Sequence, residues 1–147
     1  MSHTLLLYHI VFSTKRREPW LAPEIRSDVF SYMAAILRKQ NANSLLVNGV
    51  SDHVHILTEL PAKFAVSDVV GKVKANSSGW FHKTFRRVAF SWQEGYGAFS
   101  VSKSAYDRVF RYVQNQERHH QRMTFESEYV GLLDKHGIEY DPRYVLD

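Results

Sequence analysis

The chain predicts an α+β fold of the ferredoxin-like, split β-α-β kind: an antiparallel sheet with helices, plus C-terminal helices. Two observations carry this. Apolar patterns of period 2 and period 3.6 follow one another along 147 residues in the order β-α-β-β-α-β, and helical patterns come after. No linker, internal repeat or low-complexity tract interrupts them, so residues 1–147 are expected to form one domain around a shared core.

Each element has a local reason. Leu5 to Phe12 is short, apolar and partly β-branched, and reads as a buried strand ending in the polar run Ser13–Arg17. Pro23 opens a helix, where its missing N–H costs little; Ile25, Val29, Met33, Ile36 and Leu37 keep helical spacing to about Asn41. Ser44–Val50 and His53–Leu60 form a hairpin around the turn chemistry of Gly49 and Asp52. Pro61 closes it. Ser67, ahead of Asp68, is the expected N-cap of a second helix carrying Val69, Val70, Val73, Trp80 and Phe81, weakened across Asn76–Gly79. Val88–Trp92 and Gly97–Val101 are strand-like. Ser104–Asp107 has capping-box spacing and opens a third helix through Tyr112 to about Gln121. A last helix spans Phe125–Lys135 and stops at Gly137, and the tail from Glu139 has no period.

Composition narrows the chemistry. The apolar and charged fractions, 44% and 23%, are those of an ordinary globular protein. With no cysteine, disulfides, zinc–thiolate centres and thiolate nucleophiles are excluded. The start lacks the features of a secretory signal, and no apolar run reaches membrane-span length, so a cytoplasmic protein without a membrane partner is expected. The net charge of +4 is unevenly spread. Lys15, Arg16 and Arg17 form one basic group, and Lys72, Lys74, Lys83, Arg86 and Arg87 another, with Trp20, Trp80, Trp92 and Tyr96 near them. Basic grooves with stacking aromatics hold single-stranded nucleic acid. A solvated surface over an aromatic core has the same composition.

Two motifs carry chemistry. In the strand His53–Leu60, Val54, Ile56, Thr58 and Leu60 share the face suited to a helix-covered core. His53 and His55 share the other, roughly 7 Å apart at the backbone, close enough to grip one ion. On the third helix Tyr112, Gln116 and His120 form one stripe at i, i+4 and i+8. Gln and two His are neutral donors that suit Mg²⁺ or Mn²⁺ when phosphate oxygens complete the shell. His119-His120 reads as a pair of phosphate contacts or helix-dipole partners. A phenol near such an ion can attack a phosphodiester in line and leave a covalent phosphotyrosine, from which a 3′-OH can rejoin the strands. No clear carboxylate pair for activating water stands out.

These residues resemble the single-tyrosine HUH transposases, in particular the REP-associated tyrosine transposases and their small insertion-sequence relatives. The resemblance rests on His53-Val54-His55, on Arg111-Tyr112-Val113-Gln114-Asn115-Gln116 followed by His119-His120, and on three supporting stretches: Tyr8–Lys15, Trp92–Ser100 and Lys135–Asp141. It implies a ferredoxin-like core and metal-dependent cleavage of single-stranded DNA near a hairpin or palindromic repeat, in a nucleoid-associated setting. Tyr112 would be the nucleophile, His53, His55 and Gln116 the ligands of the ion, and the two basic groups the DNA contacts. Some relatives are homodimers that exchange the tyrosine helix and others act as monomers; Gly95 and Gly97 are either hinges for such a swing or simple turn formers. Two rival readings stay open: a non-catalytic RRM-like module that binds nucleic acid on its sheet, and a phosphoesterase that uses the same ion with water.

Overall fold

The computed structural model describes residues 1–147. Four strands, β1 (Leu7–Ser13), β2 (Asn43–Gly49), β3 (His53–Glu59) and β4 (Gly97–Val101), form one antiparallel sheet in the order β2-β3-β1-β4. That is the ferredoxin-like arrangement expected from the pattern. The connections fall where the apolar faces require, with α1 (Pro23–Lys39) between β1 and β2 and α2 (Val66–Phe85) between β3 and β4.

Side-chain alternation divides the sheet. Ile10 and Phe12 of β1 and Val54 and Ile56 of β3 point to one face, where they pack with Val29, Met33 and Leu37 of α1 and Val69, Val73 and Phe81 of α2. The other face presents His9 and Val11 from β1 and His53, His55 and Leu57 from β3. The C-terminal helices α3 (Tyr106–Gln114), α4 (Gln116–His119) and α5 (Phe125–Lys135) cover it. Val11 and Phe99 meet Phe125, Tyr129 and Leu133 there in a second, smaller apolar cluster. Helices therefore lie on both faces, and both edges of the His53-to-His55 run are paired, with β1 on one side and β2 on the other.

Local departures from the sequence reading have identifiable causes. The second helix starts at Val66 with Ala65 as N-cap and no side-chain cap, so Ser67 lies within the helix. It runs unbroken through Asn76–Gly79. Ser77 is buried there, its hydroxyl donating to Val73 O (2.6 Å) and accepting from Trp92 Nε1 (3.0 Å). Val88–Trp92 forms no strand. Val88 is 83% exposed, while Phe90 and Trp92 enter the α1/α2 core as plugs, and Trp92 makes a single bridge to Thr14. The cap before α3 is Ser102, whose hydroxyl accepts from Ala105 N (3.2 Å), not Ser104.

The third helix breaks at Asn115 into α3 and α4. Asn48 on β2 explains why this is tolerated. Its side-chain amide donates to the carbonyls of Val113 (2.9 Å) and Gln114 (3.1 Å), supplying partners that the interrupted ladder withholds. Thr124 caps α5 by accepting from Ser127 N (3.2 Å). Within the strands, close approach requires glycine at two positions. A Cβ on Gly49 would lie 2.2 Å from His53 O across the hairpin, and one on Gly97 would lie 2.8 Å from the Tyr129 ring. Gly97 thus lets α5 pack directly on β4. No helix is long and apolar enough to cross a membrane.

Candidate active site

Strand β3 delivers His53 and His55 to the face under α4 and α5, and both are fully buried. Register alone puts them side by side, but their ring orientations come from partners on other elements. His53 Nδ1 lies 2.8 Å from Asp52 Oδ1, and His55 Nδ1 lies 2.7 Å from His9 Nε2 on β1. With each Nδ1 tied to an outer partner, each Nε2 is turned inward. His53 Nε2 is 3.2 Å and His55 Nε2 3.0 Å from one oxygen, Glu128 Oε1 of α5. His120, at the end of α4, brings a third Nε2 to the same oxygen at 3.0 Å.

The stripe Tyr112, Gln116, His120 survives the break at Asn115 and faces this cluster. Gln116 is fully buried. Its Oε1 lies 3.1 Å from His53 Nε2, and its Nε2 donates to Glu128 Oε2 (3.1 Å) and to Tyr112 O (3.4 Å). The Tyr112 hydroxyl donates to that same Glu128 Oε2. The half-buried phenol ring leans on His119, with ring centroids 4.7 Å apart, and lines a groove of about 580 Å³ with His9, Phe99, Val109, Leu132 and Arg108. The structure therefore brings together Tyr112, His53, His55 and Gln116 from three elements of one chain.

Glu128 and His120 complete the group; sequence reasoning read His120 as a phosphate contact or dipole partner and did not single out Glu128. His120 instead turns its ring into the cluster, 4.4 Å from that of His53. A weak signal for Glu128 was present, an acid on the first turn of a capped helix. Only tertiary packing shows that it points inward, 3% exposed. His9 was likewise legible only as part of a strand.

The electrostatics follow from these contacts. Burial alone would raise the Glu128 carboxyl, but hydrogen bonds from His120, His53 and His55 hold it far below the usual carboxylate range, so it is ionised. Burial would lower His53, yet its bonds to Asp52 and Glu128 win and raise it to about 9. His55 is pushed down, first by burial. His9 falls to about 3 through burial and the neighbouring His55, which keeps it neutral. The phenol of Tyr112 is raised above its ordinary value by burial and by the Glu128 charge.

One ligand atom each from His53, His55, His120 and Glu128 lie within 4.8 Å of one another. The donor set fits a metal ion. Three imidazole nitrogens and a carboxylate converge on one point, and two of the imidazoles carry the outer-shell partner that fixes the tautomer of a metal-bound histidine.

The basic residues divide. Lys15, Arg16 and Arg17 form an exposed turn after β1, anchored where Thr14 N and Oγ1 donate to Asp52 O (2.8 and 3.2 Å). Arg16 and Arg17 line a groove of about 730 Å³ with Asp52, His120, Arg122 and Thr124, immediately beside the cluster. Lys72, Lys83, Arg86 and Arg87 are exposed on and just after α2, in the helical layer on the opposite face of the sheet. Lys74, expected at DNA, is turned into the fold. Its ammonium donates to the carbonyls of Gln93 (2.8 Å), Glu94 (3.1 Å) and Gly95 (2.6 Å), and burial lowers it to about 8. The reason is that the loop before β4 turns three carbonyls toward its ammonium.

Residues 2–116 match the protein-family model described as "Transposase IS200 like", a span that ends at Gln116 and leaves His120 and Glu128 beyond it. Among curated proteins, the transposases for insertion sequence element IS200 from Salmonella typhimurium and Salmonella typhi are each 30% identical over 115 residues, 74% of this chain and 75% of theirs. Among solved structures, a Deinococcus radiodurans protein superposes with a TM-score of 0.65 at 21% identity, over 78% of this chain and 93% of that one. A REP-associated tyrosine transposase bound to a REP hairpin superposes with a TM-score of 0.61 at 12% identity, over 82% and 73%.

Proposed function

The chain belongs to the IS200-like transposase family, whose chemistry is DNA cleavage and strand transfer; on that premise we propose that it is a single-tyrosine HUH enzyme acting as one domain over residues 1–147. It cleaves and rejoins single-stranded DNA at a hairpin or palindromic repeat through a 5′-phosphotyrosine on Tyr112. The observation that carries this reading is the phenol itself: Tyr112 is joined through Glu128 to the same buried cluster that holds His53 and His55.

The residues divide the work. Tyr112 Oη attacks the scissile phosphorus in line; the P–O3′ bond breaks, the phenol loses its proton and the leaving 3′ oxygen gains one. The new P–O bond conserves the energy of the phosphodiester, so attack by another 3′-OH reverses the step and joins strands. His53, His55 and Gln116, with His120 beside them, are the residues that would hold a divalent ion, Mg²⁺ or Mn²⁺. When bound, it supplies polarisation of a phosphoryl oxygen and orientation of the phosphate. Asp52 and His9 fix the two strand imidazoles. Arg16 and Arg17 border the groove next to the cluster, Lys15 precedes them in the same exposed turn, and all three are proposed phosphate contacts. Lys72, Lys83, Arg86 and Arg87 offer a second basic surface on the α2 side for the hairpin stem. A homodimer exchanging the tyrosine helix stays part of the reading; the contacts of Gln116 with His53 and of Tyr112 with Glu128 support a site that a single chain can also complete.

The rival RRM-like reading needs an open sheet face on which bases stack. Here helices occupy both faces, and the His53/His55 side is buried under Gln116, Phe125 and Glu128. The decisive experiment uses end-labelled single-stranded oligonucleotides that fold into hairpins with single-stranded flanks, with Mg²⁺ or Mn²⁺. The expected result is a protein–DNA adduct stable to denaturant and absent with Tyr112→Phe. Cleavage without an adduct would mean that water is the nucleophile and overturn the proposal. An adduct that persists in the Phe variant would remove Tyr112 from the reaction.

A further inference from the structure

Glu128 uses its two oxygens for two different things. Oε1 faces the three imidazole Nε2 atoms of His53, His55 and His120 at 3.2, 3.0 and 3.0 Å. Oε2 faces the tyrosine helix instead, accepting from the Tyr112 hydroxyl and from Gln116 Nε2. A buried carboxylate with every lone-pair direction taken is held in one rotamer, and α5 itself is fixed by the Thr124 cap and by Phe125, Tyr129 and Leu133 in the second apolar cluster. Glu128 thus joins all three imidazoles to the Tyr112 hydroxyl, whereas the second bridge, Gln116, runs from His53 Nε2 to the Tyr112 carbonyl.

We propose that Glu128 couples the ion site to the nucleophile: its Oε1 joins His53, His55 and His120 as the anionic ligand, while its Oε2 positions the Tyr112 phenol. The inference rests on the single-tyrosine reading above for what the phenol does, but not for the coupling itself. Two consequences follow from the chemistry of one carboxylate shared by two partners. A phenol donating to Oε2 draws electron density from the group and weakens it as a ligand. A ligand role on Oε1 in turn pins the acceptor that orients the phenol. With three imidazole nitrogens and one carboxylate beside the Gln116 oxygen, the site also departs from the all-oxygen shells Mg²⁺ prefers and suits Mn²⁺ better.

The test is a double-mutant cycle on Mn²⁺ affinity, measured by calorimetry on the full chain as wild type, Tyr112→Phe, Glu128→Gln and the pair. Glu128→Gln is expected to weaken Mn²⁺ binding by about tenfold or more. Tyr112→Phe is expected to tighten it roughly threefold in the wild-type background and to leave it unchanged in the Gln background, a non-additivity of the size seen for directly contacting residues. Additive effects, or Glu128→Gln binding Mn²⁺ within about twofold of wild type, overturn the proposal. If Glu128→Gln fails to fold, the Tyr112→Phe tightening decides when repeated in a Gln116→Leu background, because Gln116 also touches the phenol and His53; tightening that vanishes there assigns the coupling to Gln116 and overturns the proposal. A second readout is the adduct-forming rate at saturating Mn²⁺. It should stay reduced in Glu128→Gln, with hairpin affinity measured in chelator unchanged; full recovery would show that the carboxylate only binds the ion. Coupling without any adduct from wild type would sink the nucleophile reading and leave this inference standing. An adduct with additive affinities would do the reverse.

Discussion

The two faces of the sheet are built on opposite principles. On the α1/α2 side, 18 buried apolar residues interlock, with Phe81 and Phe90 stacked at 4.0 Å between centroids and Trp92 edge-on to both Phe12 and Phe90 at 5.0 Å. On the α3–α5 side, an apolar cluster of only five buried residues sits beside the buried polar side chains His9, His53, His55, Gln116 and Glu128. Apolar burial is non-directional and tolerates repacking, whereas each buried polar atom has to find a partner at a fixed distance. Glu128 shows the cost of the second principle: it is affordable only because three imidazoles, an amide and a phenol all turn toward it. Concentrating the hydrophobic stabilisation on one face leaves the other free to hold a polar site in a single geometry.

The sharpest way to break this comparison is a pair of single substitutions, one on each side. Tyr112→Phe should lower adduct formation by at least about a thousandfold while the far-UV circular dichroism spectrum stays that of the wild type. Phe12→Ala should do the opposite, destabilising by roughly 3–5 kcal/mol and lowering the thermal midpoint by roughly 10 °C or more, yet still forming adduct at low temperature. Selective loss of adduct in Phe12→Ala without a fall in midpoint would show that the two faces are not separable.

A smaller effect tests the polar side by pH, in chelator. The folded value of His9, about 3, lies below the ordinary 6.5, so the unfolded chain binds the extra proton between these values, and stability should fall as pH drops below 6.5. The folded value of His53, about 9, lies above 6.5, so its contribution is full below pH 6.5 and is lost as pH rises through 9. Thermal midpoints measured across pH should therefore decline in both directions. His9→Gln should flatten the acid limb and Asp52→Asn the alkaline one. Unchanged limbs in both variants would mean that neither ring is held as the contacts require.

The smallest effect concerns the surface. Arg16→Ala and Arg17→Ala should each reduce the salt-dependence slope of hairpin binding by about one, and Arg86→Ala and Arg87→Ala should do so only if the α2 surface carries the stem. Lys74→Met should leave that slope unchanged, because its ammonium is already bonded to three carbonyls. A reduced slope for Lys74→Met would return it to the DNA-binding set.

Much of this was legible in the residues. The period-2 alternation through His53–Glu59 assigned Val54 and Ile56 to the core and the two histidines to the other face, and the i, i+4, i+8 stripe put Tyr112, Gln116 and His120 on one side of a helix. Elements failed to read where a side chain answers to a distant partner. Val88–Trp92 has a strand's composition, but its aromatics fill a gap beside α2. The helix at Asn115 has a helical pattern, but Asn48, far away in sequence, supplies the bonds that let it break. Lys74 looks like any surface lysine until the carbonyls of Gln93–Gly95 are placed above it.

By itself, the order of residues determined the β-α-β-β-α-β frame, the identity of the nucleophile candidate and the imidazole pair, because these depend on periodicities of two and 3.6 that act within a few residues. Only the tertiary structure decided that α5 folds over the sheet and inserts Glu128 between His53, His55 and His120 on one side and Tyr112 on the other. The physical reason is that a buried charge has no local signature. An acid on the first turn of a helix looks the same whether it faces water or three imidazoles, and the difference lies in partners that packing alone brings within 3.2 Å.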